Sequence, residues 1–344
     1  MSRVLSQALN VVLDGQDLTT EQASEVLVEL ANPECPESLA GAMLAGMRAK
    51  GETAGEIRGL AQAMRQLAKS PGLIDGPDYT DIVGTGGDGS GSLNISTGVA
   101  LLAAACGVPI VKHGNRAVSS ASGSADVLER LGLQLPLDEQ SAARALGLTG
   151  FTFLFAPYYH PAMKSLAAVR RSMGVRTVFN ILGPLTNPAQ PPYSLIGAYS
   201  PEMAELMADA LAGMEIKRAF VIHGEPGWDE ATPVGRFLLF DVREGQVTRE
   251  QRDPQEWGFA RCSAESLAGG DAAVNAACLR AVLEGNDKGP HHDALVLGAA
   301  LVLELTGRFN SPPEAVAAAE TAIDDGSAAR LLERLADCGR QEGQ

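Results

Sequence analysis

The chain has 344 residues, 45% of them hydrophobic and 20% charged, with a formal net charge of −15. That length buries a substantial core in one large or two moderate domains, and the composition excludes disordered and fibrous classes. The acidic balance excludes nucleic-acid binding through broad electrostatic attraction, which needs clustered Lys and Arg, yet leaves room for a small anion in a locally positive pocket. Five cysteines (35, 106, 262, 278, 338), odd in number and without a C-x-x-C pair, read as reduced structural thiols. The start MSRVLSQALN has no apolar signal core and no run reaches membrane-spanning length, so the expected setting is soluble and cytoplasmic.

In chain order, residues 1–70 read as helices only. Thr19–Gln22 is a capping box ahead of Val26, Leu27 and Leu30. Leu39–Ala49 is a second amphipathic segment, ended by Lys50-Gly51. Thr53–Glu56 opens a third, carrying Ile57, Leu60, Ala61 and Met64. The linker SPGLIDGPD (70–78) follows. Strands then alternate with helices. The predicted strands are Tyr79–Val83, Val108–Lys112, Thr152–Phe155, Ser194–Ala198, Ala219–His223 and Phe237–Val242. Predicted helices among them include Gly98–Cys106, Ala125–Leu131 and Met203–Met214. Residues 285–311, ending in the apolar Ala294–Leu305, and the Ala-rich 312–337 read as closing helices. The expected fold class is α/β. It has a small all-helical N-terminal domain over 1–70, joined by helices from about 161–180, and a larger α/β domain over 79–344 with a central, largely parallel sheet.

The chemistry concentrates after strands. Asp81–Thr97 runs DIVGTGGDGSGSLNIST, a strand emptying into a loop with five glycines in eight residues, then polar residues at a helix start. This layout presents bare backbone N–H groups and a helix N-terminus to an anion. It lacks the P-loop lysine, and GTGGDG is too compact for G-x-G-x-x-G. Asp88 inside it calls for a cation or a ligand hydroxyl between the carboxylate and a phosphate. A second anion cradle is Lys112-His113-Gly114-Asn115-Arg116, continuing through Ser119, Ser120, Ser122 and Ser124.

The block 158–188 predicts a helix from Pro161, with His160 before its start, Lys164 and Ala168 stacked, Arg170 and Arg171 near its end, and Arg176 beyond. These arginines admit two readings, helix-end charges or partners of a ligand carboxylate. Asp229-Glu230, on a Gly/Pro loop, is ordinary surface charge taken alone. Beside two phosphate-type loops it becomes a Mg²⁺ site bridging phosphates. His291-His292-Asp293 reads as loop polarity, His223 as a satisfied core or loop histidine, and Trp228 and Trp257 as packing residues. No activated Ser or Cys nucleophile and no general base is signalled.

GTGGDGSGSLNIST, KHGNRAVSSASGSADVLE, YYHPAMKSLAAVRRSMGVRTVFNILGPLTNPA and GEPGWDEATP, in this order and spacing, resemble the anthranilate phosphoribosyltransferase family, and LTTEQASEVL and KGETAGEIRGLAQAM extend the likeness to nearly full length. The resemblance implies a nucleoside-phosphorylase/phosphoribosyltransferase-like fold and a homodimer through the helical part. It implies transfer of the phosphoribosyl group of 5-phosphoribosyl 1-diphosphate (PRPP) to the amine of anthranilate, with Mg²⁺, in the second step of tryptophan synthesis. By motif, Gly84, Gly87, Asp88, Ser92, Asn94, Ile95, Ser96, Thr97, Lys112, Asn115, Ser119, Ser120 and Ser124 would bind PRPP. Gly84, His113, Asn115, His160 and Arg170 would line the anthranilate path, Arg170 taking the carboxylate. Ser96, Asp229 and Glu230 would hold the metal. Leu93 and Trp228 stand where other apolar residues are expected, and VLGAA (296–300) lacks an expected asparagine. A pyrimidine-nucleoside phosphorylase, which should lack the HGNR run and the Asp-Glu pair, is the rival enzyme. A nucleic-acid-binding relative of the same fold would need a basic face, against a charge of −15.

Overall fold

The computed structural model describes residues 3–73, 78–117 and 121–342. Four helices open the chain, Arg3–Leu13, Thr20–Ala31, Glu37–Lys50 and Ala54–Gln66. The capping box expected at Thr19 forms. The Thr19 hydroxyl accepts from the Gln22 N–H at 3.2 Å, and the Gln22 side chain accepts from the Thr19 N–H at 2.9 Å. Thr53 and Glu56 repeat the exchange at 3.3 and 2.9 Å. Glu56 is fully buried and also holds the preceding loop, accepting from the Leu18 N–H at 2.9 Å and pairing with Lys50 at 3.0 Å.

Seven strands form one sheet: β1 Thr80–Gly84, β2 Ile110–Gly114, β3 Phe151–Phe155, β4 Tyr193–Gly197, β5 Arg218–Gly224, β6 Phe237–Arg243 and β7 Gln246–Arg252. Their order is β3-β2-β1-β4-β5-β6-β7; the first five are parallel, and β6 and β7 are added antiparallel. Side-chain alternation divides the interior into two cores. On β5, Phe220 and Ile222 join helices Ile95–Ala105 and Pro290–Leu305 on one face. Ala219 and Val221 join helix Pro201–Ala212 and the N-terminal helices on the other, together with Leu166, Val169 and Phe179. Helix Pro290–Leu305 is apolar all round because it is covered on every side.

β7 is absent from the sequence-based expectation because QVTREQR has no apolar alternation. It is an exposed edge strand held by main-chain pairing through the Glu244-Gly245 turn, both residues at positive φ. Helices Glu139–Thr149 and Ala272–Leu283 were also unforeseen, although Asp138 and Asp271 cap them with side-chain bonds of 2.8 and 2.9 Å. The 312–337 segment is helical as expected, in two helices, Pro312–Asp324 and Ser327–Glu342, interrupted at Gly326 with φ +78°. Two expectations are corrected. His291-His292-Asp293 lies in the first turn of Pro290–Leu305 rather than in a loop, because Gly289 and Pro290 start that helix early. The helix expected from Pro161 is a 3₁₀ turn, Pro161–Lys164, followed by helix Leu166–Met173, so Lys164 and Ala168 do not stack. At the break the Ser165 hydroxyl donates to the carbonyls of Ala162 and Ala31 at 3.1 and 3.3 Å.

Candidate active site

β1 lies between β2 and β4, so the chain leaves it in opposite directions and a crevice opens beyond the carboxyl ends of the strands. Four of those ends are glycines: Gly84, Gly114, Gly197 and Gly224. Three of them admit the segment after β5. A Cβ on Gly84 would strike the Asp229 carboxylate, one on Gly197 the Asp229 carbonyl, and one on Gly224 the Glu230 carbonyl. The Asp229-Glu230 segment therefore folds back over the sheet rather than outward.

Beneath it lies the glycine loop, with Gly86, Gly87, Gly89 and Gly91 all at φ between +60° and +74°. Its donors are engaged by the acidic pair. The Gly86 N–H donates to Asp229 Oδ2 at 2.6 Å, and the Ser96 N–H, in the first turn of Ile95–Ala105, donates to Glu230 Oε1 at 3.0 Å. Asp88 accepts from the Ser90 N–H at 3.1 Å and from the Asp229 N–H at 3.3 Å. The reading of Asp229-Glu230 as surface charge is thereby excluded. Asp229 is 9% exposed, and Glu230 Oε2 is buried with no partner among the described residues. Burial, then the neighbouring Asp88 carboxylate, pushes Asp229 up to about 7; burial and then Asp229 push Glu230 well above the usual carboxylate range.

Lys112 crosses under this pair. Its ammonium is buried, donates to the Ile82 carbonyl and faces Asp81, Glu230 and Asp229. Asp81 is fixed in turn by the Asn187 amide at 2.9 Å and the His113 N–H at 3.2 Å. On the other side, Asn94 donates to the Ser122 carbonyl at 3.2 Å and accepts from the buried Asn275 at 2.8 Å. Ile95 and Thr97 have buried side chains. Ser92 adjoins the loop through the Ser90 hydroxyl at 3.0 Å. After β2, Asn115 Oδ1 accepts from the Arg116 N–H at 2.7 Å, and the Ser124 hydroxyl donates to the Asn115 carbonyl at 3.3 Å. Arg116 is engaged by Glu129 at 2.5 Å and Asp126 at 3.3 Å. Ser119 and Ser120 lie outside the described residues.

His113 and His160 meet edge to face, ring centroids 5.0 Å apart. Nε2 of each ring is buried with no partner among the described residues. Burial, and for His113 also the neighbouring His160, lowers them to about 3 and about 4, so both are neutral at physiological pH. The Arg170 guanidinium lies 4.9 Å from the Phe179 ring centre. His223 is satisfied by the Ala198 carbonyl at 2.8 Å, and Trp228 is buried in the core. Within VLGAA (296–300), the run that lacks the expected asparagine, Gly298 packs so closely on Val99 that a Cβ would collide with it. Sequence reasoning missed Asp81, Asn187 and Asn275 as supports of the site, and named Arg176 only as a helix-end charge or a partner of a ligand carboxylate. Each acts across a long chain separation, and only the fold brings it in.

The chain matches the family described as "Glycosyl transferase family, a/b domain" over residues 76–329 and its "helical bundle domain" over residues 6–68. The crevice and its acidic pair therefore sit in a glycosyl transferase. The chain is 45% identical over 332 residues to the anthranilate phosphoribosyltransferase of Desulforudis audaxviator, covering 96% of this chain and 95% of that one. A crystal structure of the Thermus thermophilus enzyme of that name superposes with a TM-score of 0.91 at 42% identity, over 97% of this chain and 99% of the other. The Saccharomyces cerevisiae enzyme, solved in complex with PRPP and Mg, superposes with a TM-score of 0.89 at 27% identity, over 99% of both chains. The chain belongs to the anthranilate phosphoribosyltransferase family.

Proposed function

We propose that this chain transfers the 5-phosphoribosyl group of PRPP to the amine of anthranilate, releasing pyrophosphate, as the second step of tryptophan synthesis from chorismate. The observation that carries the reading is the convergence at one crevice of glycine-loop N–H groups, the Ile95–Ala105 N-terminus and the Asp229-Glu230 pair. A diphosphate needs such donors and a hard cation together. Gly84, Gly87, Asp88, Ser92, Asn94, Ile95, Ser96, Thr97, Lys112, Asn115, Ser119, Ser120 and Ser124 are assigned to PRPP. Gly84, His113, Asn115, His160 and Arg170 are assigned to anthranilate, Arg170 to its carboxylate.

Magnesium is assigned to Ser96, Asp229 and Glu230. The donor set fits: it is all oxygen, and Glu230 Oε2 is a buried carboxylate atom with no partner among the described residues. No cluster of three metal-ligating side chains is preassembled among the described residues, which suits an ion shared with substrate oxygens. When bound, the ion stabilises the negative charge that builds on departing pyrophosphate.

The protein groups do the rest by orientation. The aromatic amine is already nucleophilic, so no covalent residue is required. The difficulty is breaking the C1–O bond, which groups held in place beforehand assist; the Gly86 and Ser96 N–H groups fix the Asp229 and Glu230 carboxylates for that task. The neutral His113 and His160 shape the acceptor side without adding charge. A homodimer through the helical region is also inferred, since Val4, Leu13 and Val28 leave apolar surface exposed there. The test of function mixes the enzyme with PRPP, Mg²⁺ and anthranilate. Loss of anthranilate fluorescence with release of pyrophosphate is expected only when all three are present. Phosphorolysis of thymidine or uridine without that loss would overturn the reading.

A further inference from the structure

We propose that Arg176 is a positioning residue that sets the orientation of the glycine loop for the diphosphate of PRPP; this rests on the assignment of that loop made above. Arg176 follows helix Leu166–Met173, yet its guanidinium reaches across to donate to the Gly87 carbonyl. It lies over the Tyr199 ring, 4.7 Å from the centroid, just beyond the end of β4. Its own carbonyl accepts from Arg48 of helix Glu37–Lys50. The segment is thus clamped from the helical side and grips the loop on the other.

The consequence follows from peptide geometry. In a trans peptide the C=O and the following N–H point in opposite directions. Drawing the Gly87 carbonyl toward Arg176 turns the Asp88 N–H away from Arg176. Without such a hold, a loop of four glycines at positive φ has no Cβ-bearing side chains at those positions to restrict its peptides. Gly87 suits the contact, because a Cβ there would collide with the guanidinium. A guanidinium suits it too: planar, always charged, able to stack on an aromatic face while its edge donates. Arg176 is six residues beyond Arg170, so one segment carries both the proposed acceptor arginine and the loop's orienting arginine.

The test measures binding of PRPP with Mg²⁺ by calorimetry, with inorganic pyrophosphate as a second probe, on the full chain. Arg176→Ala should weaken both by about tenfold or more, while the KM for anthranilate moves by no more than about twofold. Arg176→Lys should recover part of the loss, since it can donate but not stack. Tyr199→Leu should weaken binding by about threefold, and the double variant Arg176→Ala/Tyr199→Leu should be no weaker than Arg176→Ala alone, because Tyr199 acts only through Arg176. Melting temperatures are read alongside; should Arg176→Ala fold poorly, Arg176→Lys and Tyr199→Leu carry the same comparison. Unchanged PRPP affinity in folded Arg176→Ala overturns the proposal. So do losses from Arg176→Ala and Tyr199→Leu that simply multiply, which would make the guanidinium an independent charge on the ligand. Failure of the unsubstituted enzyme to bind either probe would instead overturn the assignment of the loop, and this inference with it.

Discussion

Gly84 and Asp229 share one small volume: the Asp229 carboxylate stands where a β-carbon on residue 84 would have to be. The two residues are 145 apart in sequence, and their contact is what brings the carboxylate over the end of β1.

The first prediction concerns that contact. Gly84→Ala should drive Asp229 out of place, lowering kcat/KM by about a hundredfold and stability by about 1–3 kcal/mol through overpacking. Adding Asp229→Ala should return most of the stability but none of the activity. Melting curves and steady-state kinetics of the two single variants and the pair check this. Losses of stability that add independently would show that the clash is relieved elsewhere.

A second prediction trades stability against function at Asp229. Its pKa is raised to about 7, first by burial and then by Asp88. A carboxyl raised above its unfolded value costs stability as pH rises from the unfolded to the folded pKa, and the full cost is present above about 7. Asp229→Asn keeps an acceptor for the Gly86 N–H and removes the charge. It should melt higher than the unsubstituted protein at pH 8, by about 1–2 kcal/mol, with a smaller gain at pH 5.5. Activity should fall and demand more Mg²⁺. A lower melting point at pH 8 would contradict the assigned cost of burial.

The imidazole pair sets the acid limit. His113 and His160 are held neutral, with pKa values of about 3 and about 4, below the unfolded value of about 6.5. Between those values the unfolded chain binds protons that the folded one refuses. Stability is therefore intact above about pH 6.5 and is lost as pH falls toward 4, by on the order of 2–3 kcal/mol per ring. Replacing His160 with Asn should flatten the pH dependence of urea midpoints between pH 6.5 and 4. An unaltered slope would mean that the ring takes up its proton in the folded state.

Arg170 supplies the fourth. Its guanidinium rests on Phe179, and no ion pair occupies it among the described residues. Arg170→Ala should raise the KM for anthranilate by about tenfold or more, with little change for PRPP, because a charge-assisted bidentate pair is lost. A shift confined to the PRPP constant would move Arg170 to the phosphate side of the crevice.

Much of the fold was legible because local and global preferences agree. The capping boxes at Thr19 and Thr53 act within one turn, and the apolar runs of β1–β5 carry their own signal. β7 was not legible: its polar residues are held by main-chain bonds to β6, which leave no side-chain pattern. The helix at Ala272–Leu283 carries an Asp271 cap and many alanines, but alanine suits either face and leaves little apolar periodicity.

Within the site, the sequence by itself determined the chemistry on offer: the glycine loop, the Lys-His-Gly-Asn-Arg run and an acidic pair, each a short motif with its mechanism in adjacent residues. Tertiary structure alone decided how they meet. It turned Asp229 and Glu230 from ordinary loop charges into buried groups bonded to the loop N–H groups. It set Lys112 beneath them with Asp81 and Asn187, and brought Arg176 and Asn275 to the crevice from distant segments. The reason is physical: burial, desolvation and hydrogen bonding between residues far apart in the chain depend on which strand ends adjoin, and no local pattern of residues encodes that neighbourhood.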